Sequence, residues 1–418
     1  MGKVYKNLLT VLRLIAGIVF IFSGFVKGVD VTGSAIKFLD YLLAFHLDSF
    51  QFLALPMAFI LPLLEFLTGI SLVFGYKLRT GIIVFLLFML VFTPLTLVLA
   101  ILNPVKDCGC FGDALIITNW QTFWKNVILL AVALVLYLKR KEIQSVYLPF
   151  TQWIALLIFT VVFVFISTYS YRNLPLLDFR PFHTGASIPE GMTIPEGAPE
   201  DEYETVLIYE KNGQKQAFSM ENFPWQDSTW SFVEQRTRLI REGYVPPIHD
   251  FDIILPDGQD ITNDVLENPG YTFLLISPAI DKASPEGLKK AFDLFMAAQD
   301  HGVGFYLLTS SGDDRIRHLF EKQGIFFNYA STDETTLKTI IRSNPGLLLI
   351  RNGVILQKWA ARKIPAPEIF NYSLLSESVT AIHHGRETWI TLFLILLLAA
   401  LGSWMNRLLH AITACRSK

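Results

Sequence analysis

Long apolar runs set the pattern of this chain. Six reach membrane-spanning length: about Leu8–Val26, Phe52–Phe74, Thr80–Leu102, Trp120–Leu138, Leu148–Tyr169 and Trp389–Leu409. A helix needs roughly 20 mostly apolar residues to cross a bilayer. No small-x-small cleavage site follows the first run, which therefore reads as a retained helix rather than a removed signal. Between the fifth and sixth runs lies a polar stretch, about Tyr171–Arg386, whose alternating elements predict a folded domain. The fold class that follows is an integral membrane α-helical bundle with an extramembrane α/β domain. Its expected divisions are a four-helix membrane domain over 1–145, a fifth transmembrane helix over 146–170, a linker with a hairpin and a helix over 171–245, an α/β domain over 246–385, and a sixth helix with its tail over 386–418.

Within the polar stretch, Asn173–Pro199 is loop-rich, with Pro-Glu-Gly at 189–191 and again at 195–197, and reads as an ordered spacer. Asn212-Gly213 between alternating runs predicts a β-hairpin. Ser228–Arg241 has helical spacing and predicts a helix. From Pro246 onward the elements alternate. Ile248–Leu255 reads as a strand, followed by strands at Tyr271–Ser277, Val303–Thr309 and Ile325–Ala330. The helices are Ser284–His301, Asp313–Gln323 and Glu334–Arg342, the first with Ser284 as cap and Pro285 in its first turn. A hairpin over Leu347–Arg351 and Val354–Trp359 closes the domain. Strands alternating with helices predict a mostly parallel sheet finished by an antiparallel hairpin.

Composition narrows the class. The chain is 52% hydrophobic and 17% charged with mean hydropathy +0.42, which is too apolar for a soluble protein. A net charge of −2 leaves no basic stripe for nucleic acid. The basic residues cluster instead at helix ends: Lys3 and Lys6, Lys77 and Arg79, Lys139-Arg140-Lys141, then Arg407, Arg416 and Lys418. With six spans all fall on one side, which the positive-inside rule makes cytoplasmic. The expected setting is the cytoplasmic (inner) membrane of a Gram-negative bacterium, multi-pass, with both termini cytoplasmic and the large domain periplasmic.

Two of the three cysteines lie in Asp107-Cys108-Gly109-Cys110-Phe111-Gly112-Asp113, between the third and fourth runs and on the outer side. Thiols separated by one glycine close only a small, strained ring, which suits a reactive redox couple; the alternative is a tight turn whose cysteines fill space. Lys125 would lower a thiol pKa, while Asp107 and Asp113 push the other way; an interfacial anchor is the alternative for Lys125. Cys415 falls in the cytoplasmic tail, out of reach. Ionisable residues inside apolar spans are costly and usually serve a purpose. Glu65, three residues after Pro62, reads as a proton or quinone ligand paired with Lys27 or Arg13, or else as a buried structural partner of one of those cations. His183, His249 and His301 lack metal-ligand spacing, so no metal is expected, and neither a phosphate-binding loop nor a Ser/His/Asp arrangement occurs.

The first third of the chain resembles the DoxX/MauE group of redox-associated membrane proteins. The matching features are Arg13, Gly17, Ser23-Gly24, Lys27, Leu61-Pro62-Leu63-Leu64-Glu65 with Gly69, Gly75, and Asp107 to Gly112. The resemblance implies a four-helix bundle, to which the apolar runs here add two further spans. It also implies a role in thiol oxidation, quinone-linked electron transfer or maturation of disulfide-containing periplasmic proteins, with Cys108 and Cys110 as the couple. The region Pro246–Phe370 resembles the thioredoxin-like fold of the TlpA/peroxiredoxin type, through Pro247 to Phe251, Pro256-Asp257-Gly258 and Asn344-Pro345-Gly346, where Pro345 stands in the place of a cis-proline. Where such proteins carry Cys-x-x-Cys, this chain reads Ser277-Pro278-Ala279-Ile280, so the domain has no thiol chemistry of its own. The resemblance leaves it a groove at Ser277, Pro278 and Pro345 for extended peptide. Besides the lipid bilayer, the expected partner is a periplasmic cysteine-containing protein, or an envelope complex if the chain is a non-enzymatic scaffold or assembly factor.

Overall fold

The computed structural model describes residues 3–105, 108–143, 148–241 and 243–371. The sixth apolar run, Cys415 and Asp107 lie outside the described residues. Two compact units emerge. One combines the chain up to Ala186 with the chain from Asp252 onward, and the other is Ser187–Phe251.

The first unit opens with helices α1 (Lys3–Val29), α2 (Val31–Ala44), α3 (Ala54–Phe74), α4 (Leu78–Leu102), α5 (Asn119–Leu138) and α6 (Pro149–Arg172). All but α2 are long and apolar enough to cross a membrane. The expected spans are therefore present where the described residues cover them. Helix α2 was not expected. Its 14 residues are too short for a span and mix Lys37 and Asp40 into the apolar pattern, yet Asp30 caps it by accepting the Gly33 N–H at 2.8 Å. Close packing of α1 on α3 organises the bundle. At Gly24 an added Cβ would stand 2.6 Å from both the Phe66 nitrogen and the Pro62 oxygen, so only glycine admits this backbone approach. An apolar core of Phe20, Leu72, Ile82, Phe85 and Leu136 fills the space beyond it.

The second unit holds the short helix α7 (Ile188–Met192) and strands β1 (Glu202–Lys211), β2 (Gln214–Ser219) and β3 (Ser231–Arg241). They form an antiparallel sheet in the order β2-β1-β3. The hairpin at Asn212-Gly213 is as expected, with both residues at positive φ. The helix expected over Ser228–Arg241 is wrong: that segment is β3, paired with β1 from Glu202↔Arg241 to Glu210↔Ser231. Its β-branched and aromatic residues (Phe232, Val233, Thr237, Ile240) favour a strand, and the Tyr209 ring packs against Phe232, Phe218 and Phe223.

From Asp252 the first unit continues as α8 (Thr262–Leu266), β4 (Tyr271–Ile276), α9 (Pro285–Asp300), β5 (Gly304–Thr309), α10 (Asp313–Gln323), β6 (Tyr329–Ser331), α11 (Glu334–Ile340), β7 (Gly346–Arg351) and β8 (Val354–Ala360). The sheet order is β6-β5-β4-β7-β8. Strands β4, β5 and β6 are parallel, and β7 and β8 add as an antiparallel pair. Ser284 caps α9, with Pro285 in its first turn. The expected strand at Ile248–Leu255 is reduced to single bridges from Ile254 to Asp260 and Ser331; Asp250, at φ +57°, takes the chain out of the extended region partway along it. The core is apolar on the helix-facing side, built on Phe273, Leu288, Phe295, Phe305 and Leu347.

The segment after α6, expected as a spacer, is tied firmly to this sheet. Arg180 is 2% exposed and forks onto Asp178 at 2.7 and 2.9 Å. The Lys358 ammonium reaches the same carboxylate at 2.8 Å. Burial works to raise the Asp178 pKa, but Lys358 and Arg180 outweigh it and hold the carboxyl well below its usual range. Burial and Arg180 bring Lys358 down to about 8 despite Asp178. Asp178→Asn would leave two buried cations uncompensated, and the expected loss is about 3–5 kcal/mol of unfolding free energy, measurable by denaturant titration in detergent. Because the folded-state pKa is depressed, this stabilisation is present above the unfolded carboxylate value of about 3.9 and is lost as pH falls below it.

Candidate functional site

The thiol loop between α4 and α5 is held at both ends. Asn103 ends α4 in a left-handed conformation. The Asn119 amide donates to the Asn103 side chain at 2.8 Å and to the Val105 carbonyl at 2.9 Å, and a capping box between Thr118 and Gln121 starts α5. Gly109 takes φ +59°, a conformation that L side chains rarely adopt, and this turns the two cysteines onto one another. Their sulfurs are 3.2 Å apart with both thiols free.

The Glu65 carboxylate, 5% exposed on α3, meets the Lys27 ammonium of α1 at 2.5 Å. The Ser23 hydroxyl stands between this pair and the thiol loop, 3.0 Å from Glu65 Oε2 and 2.8 Å from the Cys110 carbonyl. It has one proton to give and two acceptors, so the ion pair and the loop share a donor. Arg13 is elsewhere: its guanidinium lies by Gly75 at the far end of α3, roughly 15 Å along that helix from Glu65. The Lys125 ammonium sits over the Phe111 ring at 4.5 Å, and the Tyr41 hydroxyl donates to the Cys108 carbonyl.

Electrostatics separates the two thiols. The hydrogen bond from the Cys108 thiol lowers Cys110 to about 6 from an ordinary 9.0; burial opposes this, and Lys125 and Lys27 assist. The same hydrogen bond, with burial, pushes Cys108 up. Asp113, which the sequence places as an opposing charge, is paired with Arg342 at 2.8 Å. Arg342 also binds Asp30 at 2.9 Å. The thiol end of the bundle and the α/β domain therefore meet.

A cavity of about 720 Å³ opens beneath the loop. Val84, Leu87, Phe88, Val91, Phe92 and Leu95 supply one apolar wall from a single face of α4, while Lys27, Glu65, Cys110 and Lys125 line its polar end. Leu87 and Val91 are 56% and 62% exposed.

The residues expected to line a groove in the α/β domain are placed differently. Ser277 is fully buried and donates to the Asn344 side chain at 2.7 Å. Pro345 follows a cis bond and is also buried, so only Pro278 of the three is partly exposed. Sequence reasoning missed Asp30 and Tyr41, both belonging to the unexpected α2 and its cap, for which Asp30-Val31-Thr32-Gly33 was an available capping signal. It also missed Arg342, two residues before the recognised Asn344-Pro345-Gly346, because its partners lie 229 and 312 residues away.

In the reduced protein, alkylation of Cys110 is expected to reach half its maximal rate near pH 6. Cys108→Ala removes the donor and is expected to move that midpoint up toward the ordinary thiol value. Mass spectrometry of iodoacetamide-treated membranes across pH checks both.

Comparison with known proteins gives a family model for each of two regions. Residues 5–139 match the one described as methylamine utilisation protein MauE, and residues 203–242 match a domain of unknown function, DUF8463. No curated protein matches the chain. Among solved structures, a candidate protein disulfide isomerase from Bacteroides thetaiotaomicron is 15% identical, covering 33% of this chain and 91% of its own, with TM-score 0.25. A thiol:disulfide interchange protein from Bacteroides sp. is 17% identical, covering 29% and 81%, with TM-score 0.23. The MauE match spans α1 to α5, and the sheet of the α/β domain, three parallel strands with an antiparallel pair, is the arrangement expected from the sequence.

Proposed function

We propose that the chain is a thiol–disulfide redox protein of the bacterial inner membrane, working through Cys108 and Cys110 on the periplasmic side. The observation that carries this reading is the contact of two free sulfurs at 3.2 Å with Cys110 lowered to about 6, since the thiolate is the nucleophile. The basic helix ends cluster at the opposite end of the bundle, where Lys139 lies over the Tyr5 ring and Lys77 over Trp153. In this reading they supply the positive charge that keeps that end cytoplasmic.

The exchange is balanced as follows. The Cys110 thiolate attacks one sulfur of a partner protein's disulfide, forming a mixed disulfide and expelling a partner thiolate. Cys108 then loses its proton and attacks the Cys110 sulfur, closing the Cys108–Cys110 disulfide and releasing the second partner thiolate. Two electrons pass to the partner, which becomes a dithiol; the reverse sequence oxidises it. Lys125 would favour the thiolate, and Lys27 with Glu65 would hold the loop from beneath. The apolar cavity with a polar, thiol-lined end fits a lipid-soluble quinone, which when bound would supply a two-electron acceptor. Lys27, Glu65 and Lys125 would hold its head. Arg13, distant from this end, has no part. The cysteine-free α/β domain would present the partner.

Trapping tests the reading. Cys108→Ala leaves the attacking thiol without its resolving partner, and Cys110→Ala does the converse. At least one is expected to accumulate a mixed disulfide with an envelope protein, visible as a reductant-sensitive band on a non-reducing gel. Failure of both to trap anything, with full activity retained in cells, would leave the scaffold reading in its place.

A further inference from the structure

We propose that Arg342 is a positioning residue for the thiol pair: from the α/β domain, it clamps the two carboxylates that flank the thiol loop. The proposal rests on the redox reading above and adds a role for the cysteine-free domain toward its own chain.

The geometry is specific. Arg342 follows α11 and is 8% exposed in its side chain. Its Nε donates to Asp30 at 3.2 and 2.9 Å, one Nη to Asp113 at 2.8 Å, and the other Nη to the Lys338 carbonyl at 2.6 Å. Every arm of the guanidinium is engaged, which a lysine cannot reproduce. Asp30 and Asp113 are not equivalent anchors. Asp30 ends α1 three residues after Lys27 and caps α2, so it fixes the helix that brings Tyr41 to the Cys108 carbonyl. Asp113 closes the loop three residues after Cys110. One cation thus joins the two supports of the CxC turn. It also offsets the negative charges of Asp30 and Asp113, which line the same cavity as Cys110.

Other charges face the same cavity. Lys27 comes from α1, Lys37, Asp40 and Tyr41 from α2, Glu65 from α3 and Lys125 from α5. Arg180 and Lys338 line it from the segment after α6 and from α11. Lys338 is engaged by Glu334 at 2.7 Å and Arg180 by Asp178. Among the carboxylates lining this cavity, Glu65 is paired with Lys27, and Asp30 and Asp113 are both paired with Arg342.

The test is the pH profile of Cys110 alkylation in the full-length protein. Arg342→Gln leaves Asp30 and Asp113 without their shared cation, and the midpoint is expected to rise by about one pH unit. Combining Arg342→Gln with Asp113→Asn is expected to bring it back toward the wild-type value, a rescue that a purely structural clamp would not give. Asp113→Asn alone frees part of the Arg342 charge and is expected to shift the midpoint down, so the idea stays testable should the Arg342 variants not fold. A wild-type midpoint near 6 that neither Arg342→Gln nor Asp113→Asn moves would overturn the proposal while sparing the redox reading. A wild-type midpoint near 9 would instead overturn the redox reading itself.

Discussion

A carboxylate cannot sit dry in a membrane helix without a partner, and Glu65 has Lys27 at 2.5 Å. That pairing needs α1 and α3 to touch backbone to backbone, and Gly24 is the residue that lets them. Ser23, the neighbour of Gly24, carries the contact onward to the Cys110 carbonyl. Glycine, ion pair and shared hydroxyl therefore form one continuous chain of causes, from helix packing to the placement of a thiol. A change that spreads α1 from α3 would reach the cysteines without touching them.

Much of this was legible. The five spans within the described residues follow from apolar runs of bilayer length, and α9 was readable from Ser284 and Pro285 because capping is a local interaction. Glu65 and Lys27 stood out as charges where charge is costly. What failed has physical reasons too. Segment β3 carries charges at spacings a helix would also use, and its strand state comes from pairing with β1, some thirty residues earlier. Helix α2 is too short and too mixed to announce itself. The role of Asp113 could not be read locally, because its sign of influence depends on a guanidinium from another part of the chain.

The α/β domain spends its polar groups internally. Ser277 satisfies Asn344, and Asn344 satisfies the Ala279 carbonyl. The loop between α11 and β7 is thereby stiffened from the inside, while Arg342 at its start points outward to the bundle. Rigid support behind a charged clamp is what holding two carboxylates at fixed separation requires. The buried Asp178, Arg180 and Lys358 cluster does the same for the chain leading in from α6.

The order in which these parts are made has its own consequence. Asp113 precedes Arg342 by 229 residues, an interval of about ten to fifty seconds at ordinary synthesis rates of roughly 5–20 residues per second. During that interval Asp30 and Asp113 exist without Arg342, and the ion pairs that join them close only once the later part of the chain has been made.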